Sequence, residues 1–235
     1  MPMPQLPPPV PSEETFEEIA ACVAHEIKNP LALALANISL IRLGDSERKY
    51  AKQCQVIENE LEKINDMVVE LVVCARGGQN WGAEEAVDAA EVLSGVIGEF
   101  RAANGALRFV TRGLEDEFFV RGDRRRLAMV FSNIIKNASE AQGGAGRVDV
   151  ALRRAGGGGR LTFDDYGGGL SEAGLAGAGR RYYTTKKNGT GLGVLFCRNT
   201  MEQWGGKFSL ENRAGPDGIT EGCRVTLEFP DEKEP

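Results

Sequence analysis

His25 is the only histidine among 235 residues, and it stands in the run His25-Glu26-Ile27-Lys28-Asn29-Pro30-Leu31. One imidazole cannot build a multi-histidine metal centre, but it can carry a phosphoryl group on a ring nitrogen. Glu26 can hold or deprotonate the ring and so raise the nucleophilicity of the free nitrogen. Asn29 follows one helical turn later on the same side, where it can position a water for the reverse hydrolysis. Taken alone, a surface histidine beside a glutamate is more often inert.

Three further groups lie in the second half of the chain. Asn133 and Asn137 fall one turn apart in Asn133-Ile134-Ile135-Lys136-Asn137-Ala138-Ser139-Glu140-Ala141 and share a helix face with Glu140. Neutral amide oxygens can coordinate magnesium without cancelling its charge. Asp165 opens Asp165-Tyr166-Gly167-Gly168-Gly169-Leu170 at the end of an apolar strand. A carboxylate there can accept from the exocyclic amine of adenine, and the glycines permit close approach. Lys186-Lys187-Asn188-Gly189-Thr190-Gly191-Leu192-Gly193 precedes a helical pattern. Its backbone amides suit bound phosphates, and Lys186 or Lys187 can neutralise charge during transfer. The spacing is neither that of a Walker A loop nor of the dinucleotide fingerprint. Separately, these groups also fit a solvated asparagine face, a tight glycine turn and an ordinary glycine loop.

Two regions must position this chemistry. After a proline-rich tail over 1–12, apolar residues at Ile27, Leu31, Ala34, Ile38 and Ile41 predict one helix. Tyr50, Cys54, Ile57, Leu61, Ile64, Val68, Leu71 and Ala75 predict a second, with Gly44 and Gly77-Gly78 as stops. His25 lies off the apolar stripe, and Pro30 is expected to loosen or bend the helix. A helical hairpin over 13–79 has little interior. Pairing two copies into a four-helix bundle buries both stripes, which predicts a homodimer; a monomeric hairpin lying on the C-terminal domain is the alternative.

From 80 to 230 the periodicity changes. Helices are expected over Val87–Phe100, from a cap at Asp123 to about Gln142, and over Leu192–Trp204. Strands are expected over Ala106–Thr111, Glu117–Val120, Val148–Arg153, Arg160–Asp164, Phe208–Asn212 and Cys223–Phe229. Mixed strands with a few helices and hairpin-type links predict a two-layer α/β sandwich. The last residues, 231–235, read as a frayed tail.

Composition narrows the function classes. A net charge of -6 and a pI near 5.1 disfavour a broad nucleic-acid surface, so no nucleic-acid partner is expected. Arg124-Arg125-Arg126 could bind an anion but reads rather as a solvated helix face, with acidic Glu115, Asp116, Glu117 and Asp123 just upstream. Five widely spaced cysteines without a Cys-x-x-Cys pair argue against structural zinc and for reduced thiols in a cytoplasmic setting. No stretch has the length and apolarity of a membrane span, so no intrinsic span is expected.

The order of the four groups resembles that of bacterial two-component sensor histidine kinases, closest to the sporulation and nitrogen-regulation types. The His25 run resembles that family's phosphoacceptor box, Asn133 to Ala141 its N box, and Asp165-x-Gly167-x-Gly169 its G1 box. Tyr182-Tyr183-Thr184-Thr185-Lys186 resembles the F box, where Phe-Phe is commoner, and Gly189-Thr190-Gly191-Leu192-Gly193 the G2 box. The resemblance implies a dimeric four-helix phosphoacceptor bundle followed by an α/β sandwich of the Bergerat ATP-binding type. It implies ATP and Mg2+, with Asn137 the principal metal ligand and Asn133 supporting it. Asp165, Gly167, Gly169, Thr185 and Gly189 to Gly193 would hold the nucleotide. Catalysis would involve His25, Glu26, Asn29 and Lys186, and the partner would be a response-regulator receiver domain.

Two departures matter. Family members usually carry a sensory or transmembrane segment before the phosphoacceptor box, so the signal is expected through a separate sensor protein, the tail or a further domain. Gly168 stands in place of a more restricted residue and is expected to loosen the G1 loop. Other readings are an ATP-independent histidine phosphotransferase or dimeric scaffold with a vestigial ATP domain, a protein-binding ATPase switch, and a serine kinase sharing the ATP fold.

Overall fold

The computed structural model describes residues 85–155, 158–179, 191–215 and 217–231, with 27, 30–39, 41, 50, 53–57, 60–61, 64 and 68 of the N-terminal region. The chain divides into two compact units, Met1–Gly77 and Gly78–Pro235. In the first, residues 30–39 and 53–57 are helical and Pro30 lies within the helical run. Ala34 is buried, whereas the expected stripe positions Leu31, Ile38, Leu61 and Val68 are exposed in the single chain. His25, Glu26 and Asn29 lie outside the described residues, as does the expected bend just before Pro30. No helix among the described residues is long and apolar enough to cross a membrane.

The second unit begins with β1 (Glu85–Asp88), α1 (Ala89–Ala103), β2 (Leu107–Arg112), β3 (Phe119–Gly122) and α2 (Arg124–Ala141). It continues with β4 (Gly146–Ala155), β5 (Gly158–Asp164), α3 (Glu172–Gly177), α4 (Gly193–Gln203), β6 (Lys207–Ala214) and β7 (Thr220–Phe229). Five strands form one sheet in the order β2-β4-β5-β7-β6, and β1 pairs with β3 in a separate two-stranded ribbon. β2 and β4 run parallel, and the remaining neighbours in the large sheet are antiparallel. A parallel pair needs a long crossover, which β3 and α2 supply. Side chains of Val148, Val150, Leu161, Phe163 and Leu227 from the sheet are buried, as are Leu93, Ile97, Leu127, Phe131, Ile135, Phe196 and Met201 from the helices. Phe131 and Phe163 bring their rings to 6.0 Å between centroids, joining α2 to β5 across that core.

The helix expected from Val87 begins two residues later. Val87 pairs with Val120 in the ribbon, and both side chains are buried. Asp88 then turns the chain into α1, its Oδ1 accepting from the amides of Ala90 (3.0 Å), Glu91 (3.3 Å) and Phe118 (3.0 Å). One cap thus also fixes the approach to β3, which starts at Phe119 rather than Glu117. The expectation of a solvated Arg124 to Arg126 face fails at Arg126. That side chain is buried, donates to Gln203 Oε1 (2.6 Å) and Thr200 Oγ1 (3.3 Å), and stacks on Trp204. Its charge lies in the last turn of α4, where the helix dipole favours a cation.

Candidate functional site

Asp165 leaves β5 with its side chain buried. Its amide donates to the Cys223 carbonyl (2.9 Å), and its Oδ1 accepts from the amides of Cys223 (3.1 Å) and Gly167 (2.9 Å). Those bonds fix the orientation of the carboxylate. Oδ2 accepts from no described residue, so one oxygen of this largely buried carboxylate is open to a donor from outside the chain. The neighbouring Asp164 faces the other way and holds Arg224 in a two-point ion pair at 2.6 and 2.7 Å. Burial first, and then the Asp165 carboxylate, push the Cys223 thiol up to about 11, so it stays neutral beside that charge.

The glycines of the turn have separate reasons. A Cβ on Gly167 would stand 2.6 Å from Cβ of Ala141, so the turn seats directly against the end of α2. Gly168 and Gly169 adopt φ of 82° and 78°, in the left-handed region that favours glycine. The Gly168 amide donates to the Glu221 carbonyl at 3.0 Å, which ties the middle of the turn to β7.

The asparagine face and the glycine loop meet on the same helix. Asn133 and Asn137 are half-buried on α2, with Ile134, Ile135 and Ala138 of that helix buried in the core. A Cβ on Gly193 would lie 3.1 Å from Oδ1 of Asn133, so α4 starts against the asparagine face. Among the described residues no side chain caps α4, and a helix start of this kind offers backbone donors that suit phosphates. Gly191 has φ of 68° just before it. Arg198 on α4 donates to the carbonyl of Ala178 at 3.1 Å, tying the chain after α3 to the helix that opens with Gly193.

α2 is thus the common wall: Ala141 meets Gly167, and Asn133 meets Gly193. Asn133, Asn137, Asp165, Gly167, Gly169, Gly191, Leu192 and Gly193 fall among the described residues, whereas Thr185, Lys186, Gly189 and Thr190 lie outside them. The donor set fits magnesium-ATP in kind: amide oxygens for the metal, backbone amides of a helix start for phosphate, and one open carboxylate oxygen for an amine. Sequence reasoning missed the contributions of Gly222, Cys223 and Asn212. A glycine inside the alternating run before Phe229 was the readable signal of a close backbone approach. A Cβ on Gly222 would lie 2.0 Å from the Asp165 carbonyl oxygen. Gly222→Ala is expected to cost about 1–3 kcal/mol of stability by overpacking, with ATP binding weakened roughly tenfold. Thermal unfolding and ATP titration measure both, and a variant matching wild type would contradict the contact.

A mixed sheet with an Asp-Gly turn at the end of β5, facing an asparagine helix and an uncapped helix start, defines an ATPase domain of the Bergerat type. Residues 122–233 match the family model described as histidine kinase-, DNA gyrase B-, and HSP90-like ATPase. The chain is 31% identical over 221 residues to sporulation kinase A of Bacillus subtilis (strain 168), covering 91% of this chain and 34% of that protein. It is 30% identical over 220 residues to sensor histidine kinase ZraS of Escherichia coli O157:H7, covering 90% and 45% respectively. Among solved structures, histidine kinase ThkA in complex with response regulator protein TrrA aligns with a TM-score of 0.59 and 25% identity, over 91% of this chain and 61% of that one. The chain is thus similar to bacterial two-component sensor histidine kinases over about nine-tenths of its length, and its second unit carries their type of ATPase domain. It spans 34%, 56% and 47% of the length of three curated relatives that it matches.

Proposed function

We propose that this chain is an ATP-dependent protein-histidine autokinase that phosphorylates His25 and passes the phosphoryl group to a response-regulator aspartate. The observation that carries the reading is the Asp165 carboxylate, with Oδ1 held by two amides and Oδ2 open, on a turn that seats against the helix carrying Asn133 and Asn137. Asp165 accepts from the adenine amine. Asn137, supported by Asn133, would hold Mg2+, which neutralises charge on the phosphates. The amides of Gly189 to Gly193, with Thr185 and Lys186, cradle the transferring group. Glu26 orients the imidazole. A ring nitrogen of His25 forms a bond to the γ-phosphorus as the bond to the ADP oxygen breaks, and ADP leaves. The phosphoramidate then yields its phosphoryl group to the carboxylate of the regulator. Such transfer needs positioning and charge stabilisation more than covalent assistance from the protein.

In this reading residues 13–79 form the dimerisation and phosphoacceptor domain and 80–230 the catalytic domain, working in the cytoplasm where ATP is supplied. The exposure of Leu31, Ile38, Leu61 and Val68 supports a homodimer, because a second copy would cover them. ThkA was solved with a response regulator, which supports a receiver domain as the partner. Asn29, one turn after His25, would place a water for dephosphorylating the regulator. The signal would come from a separate sensor protein or a further domain.

The test is incubation with magnesium and γ-labelled ATP, then treatment of the labelled protein with acid and with alkali. Acid-labile, alkali-stable label is expected; none, with ATP binding intact, would favour a phosphotransferase that receives its phosphate from another protein. Asn137→Asp places a negative charge beside the phosphates and is expected to slow labelling more than tenfold, with thermal unfolding unchanged. Labelling at the wild-type rate would remove Asn137 from the metal site.

A further inference from the structure

The turn from Asp165 to Leu170 carries three consecutive glycines, whose ordering is entropically costly unless the turn is held from outside. At its start, the Cys223 backbone holds Asp165 twice, its carbonyl accepting from the Asp165 amide and its amide donating to the Asp165 carboxylate. At its far end a different group acts. Oδ1 of Asn212 accepts from the Leu170 amide at 2.8 Å, and Nδ2 of Asn212 donates to the Leu170 carbonyl at 2.7 Å. A side-chain amide here does what a neighbouring strand would do, meeting one residue's donor and acceptor together. The Cys223 thiol lies 3.7 Å from the same Oδ1 as a weak third donor. A Cβ on Gly169 would approach that oxygen to 2.9 Å. Asn212 and Cys223 are register partners across β6 and β7. Both ends of the turn therefore hang from a single cross-strand pair, one end by backbone and the other by this amide.

We infer that Asn212 is a positioning residue for the nucleotide: by clamping Leu170 it sets the span of the Asp165–Leu170 turn and so the place of the Asp165 carboxylate. The inference rests on the ATP-binding reading above. Asn212 touches no nucleotide atom itself. Its chemistry is specific, because the site needs one acceptor and one donor in a planar group. The substitution Asn212→Asp would keep the acceptor for the Leu170 amide but set a carboxylate oxygen against the Leu170 carbonyl, which nothing then satisfies.

The experiment compares the full wild-type chain with Asn212→Ala and Asn212→Asp in three measurements. Amide hydrogen exchange is followed at Gly168 and Leu170 without nucleotide. Affinity for the non-hydrolysable analogue AMPPNP with magnesium is titrated. The KM and kcat of labelling by ATP are determined. The clamp predicts at least tenfold faster exchange at Leu170 in both variants, with the amides of β5 and β7 unchanged. It predicts AMPPNP affinity and KM worsened about tenfold, Asn212→Asp more than Asn212→Ala, with kcat within twofold of wild type. Unchanged exchange at Leu170 would overturn the clamp. Faster exchange with unaltered affinity would overturn the positioning role. A general loss of protection across the sheet would also overturn it, since the residue would then be only structural. Wild type that bound no AMPPNP would instead sink the ATP reading and the positioning role with it, while the exchange data would still decide the clamp.

Discussion

A His25→Ala chain given magnesium and γ-labelled ATP acquires no acid-labile, alkali-stable label, yet binds ATP as wild type does. The first half of that result follows from a count: the chain holds one imidazole, so removing it removes every imidazole nitrogen that could carry the phosphoryl group. The second half follows from the division of the chain. Asn133, Asn137, Asp165 and Gly191 to Gly193 all belong to the unit Gly78–Pro235, and residue 25 belongs to the other. Labelling should fall to background, with nucleotide affinity within twofold of wild type by titration. Equal labelling of both chains would remove His25 from the reaction and point to another class of kinase or ATPase. Loss of labelling together with loss of ATP binding would mean that the substitution disturbed more than the acceptor.

The Asp165→Asn chain tests the other end of the reaction. Its effect rests on the different duties of the two carboxylate oxygens. Asparagine keeps an acceptor for the amides of Gly167 and Cys223, so the turn and the strand end stay in place. The amide nitrogen then occupies the position of Oδ2 and presents a donor where a donor must be received. Two opposed donors in a buried site leave both unsatisfied. ATP affinity should fall about hundredfold or more, which is roughly 2.7 kcal/mol. Thermal unfolding should shift by less than about 1 kcal/mol, since no packing is lost. Affinity within twofold of wild type would exclude Asp165 from base recognition.

Local signals carried much of this architecture, and distant ones carried the rest. Asp123 as a cap and Gln142 as the end of α2 were legible because capping and periodicity act within a few residues. The same holds for α4, bounded by Leu192 and Trp204. α3 was not among the expected helices, because six residues give little periodicity, although Ser171 caps it through the Gly174 amide at 3.1 Å. β1 was concealed because Val87 fits the apolar spacing of the helix that follows, and only pairing with Val120 draws it into a strand. The parallel match of β2 with β4 has no local mark. Nor has the burial of Arg126, whose partners Thr200 and Gln203 lie 74 and 77 residues further on. At the site, residue types could show that Asp165 ends a strand. Which of its oxygens is open depends on Cys223, and periodicity cannot supply that contact.

The separation of Asp165 from Cys223, 58 residues along the chain, has a consequence for synthesis. β7 is an inner strand, between β5 and β6, and it is made after every other strand of this sheet. While the ribosome is still adding it, the Asp165 carboxylate has emerged but lacks the amide that orients it. On the proposed reaction, His25 is thus synthesised long before the site that would load it is complete. A ligand that binds only the folded form stabilises only that form. ATP therefore protects finished molecules and leaves those halted before Thr220 unprotected, so ordinary cellular proteolysis would discriminate between them.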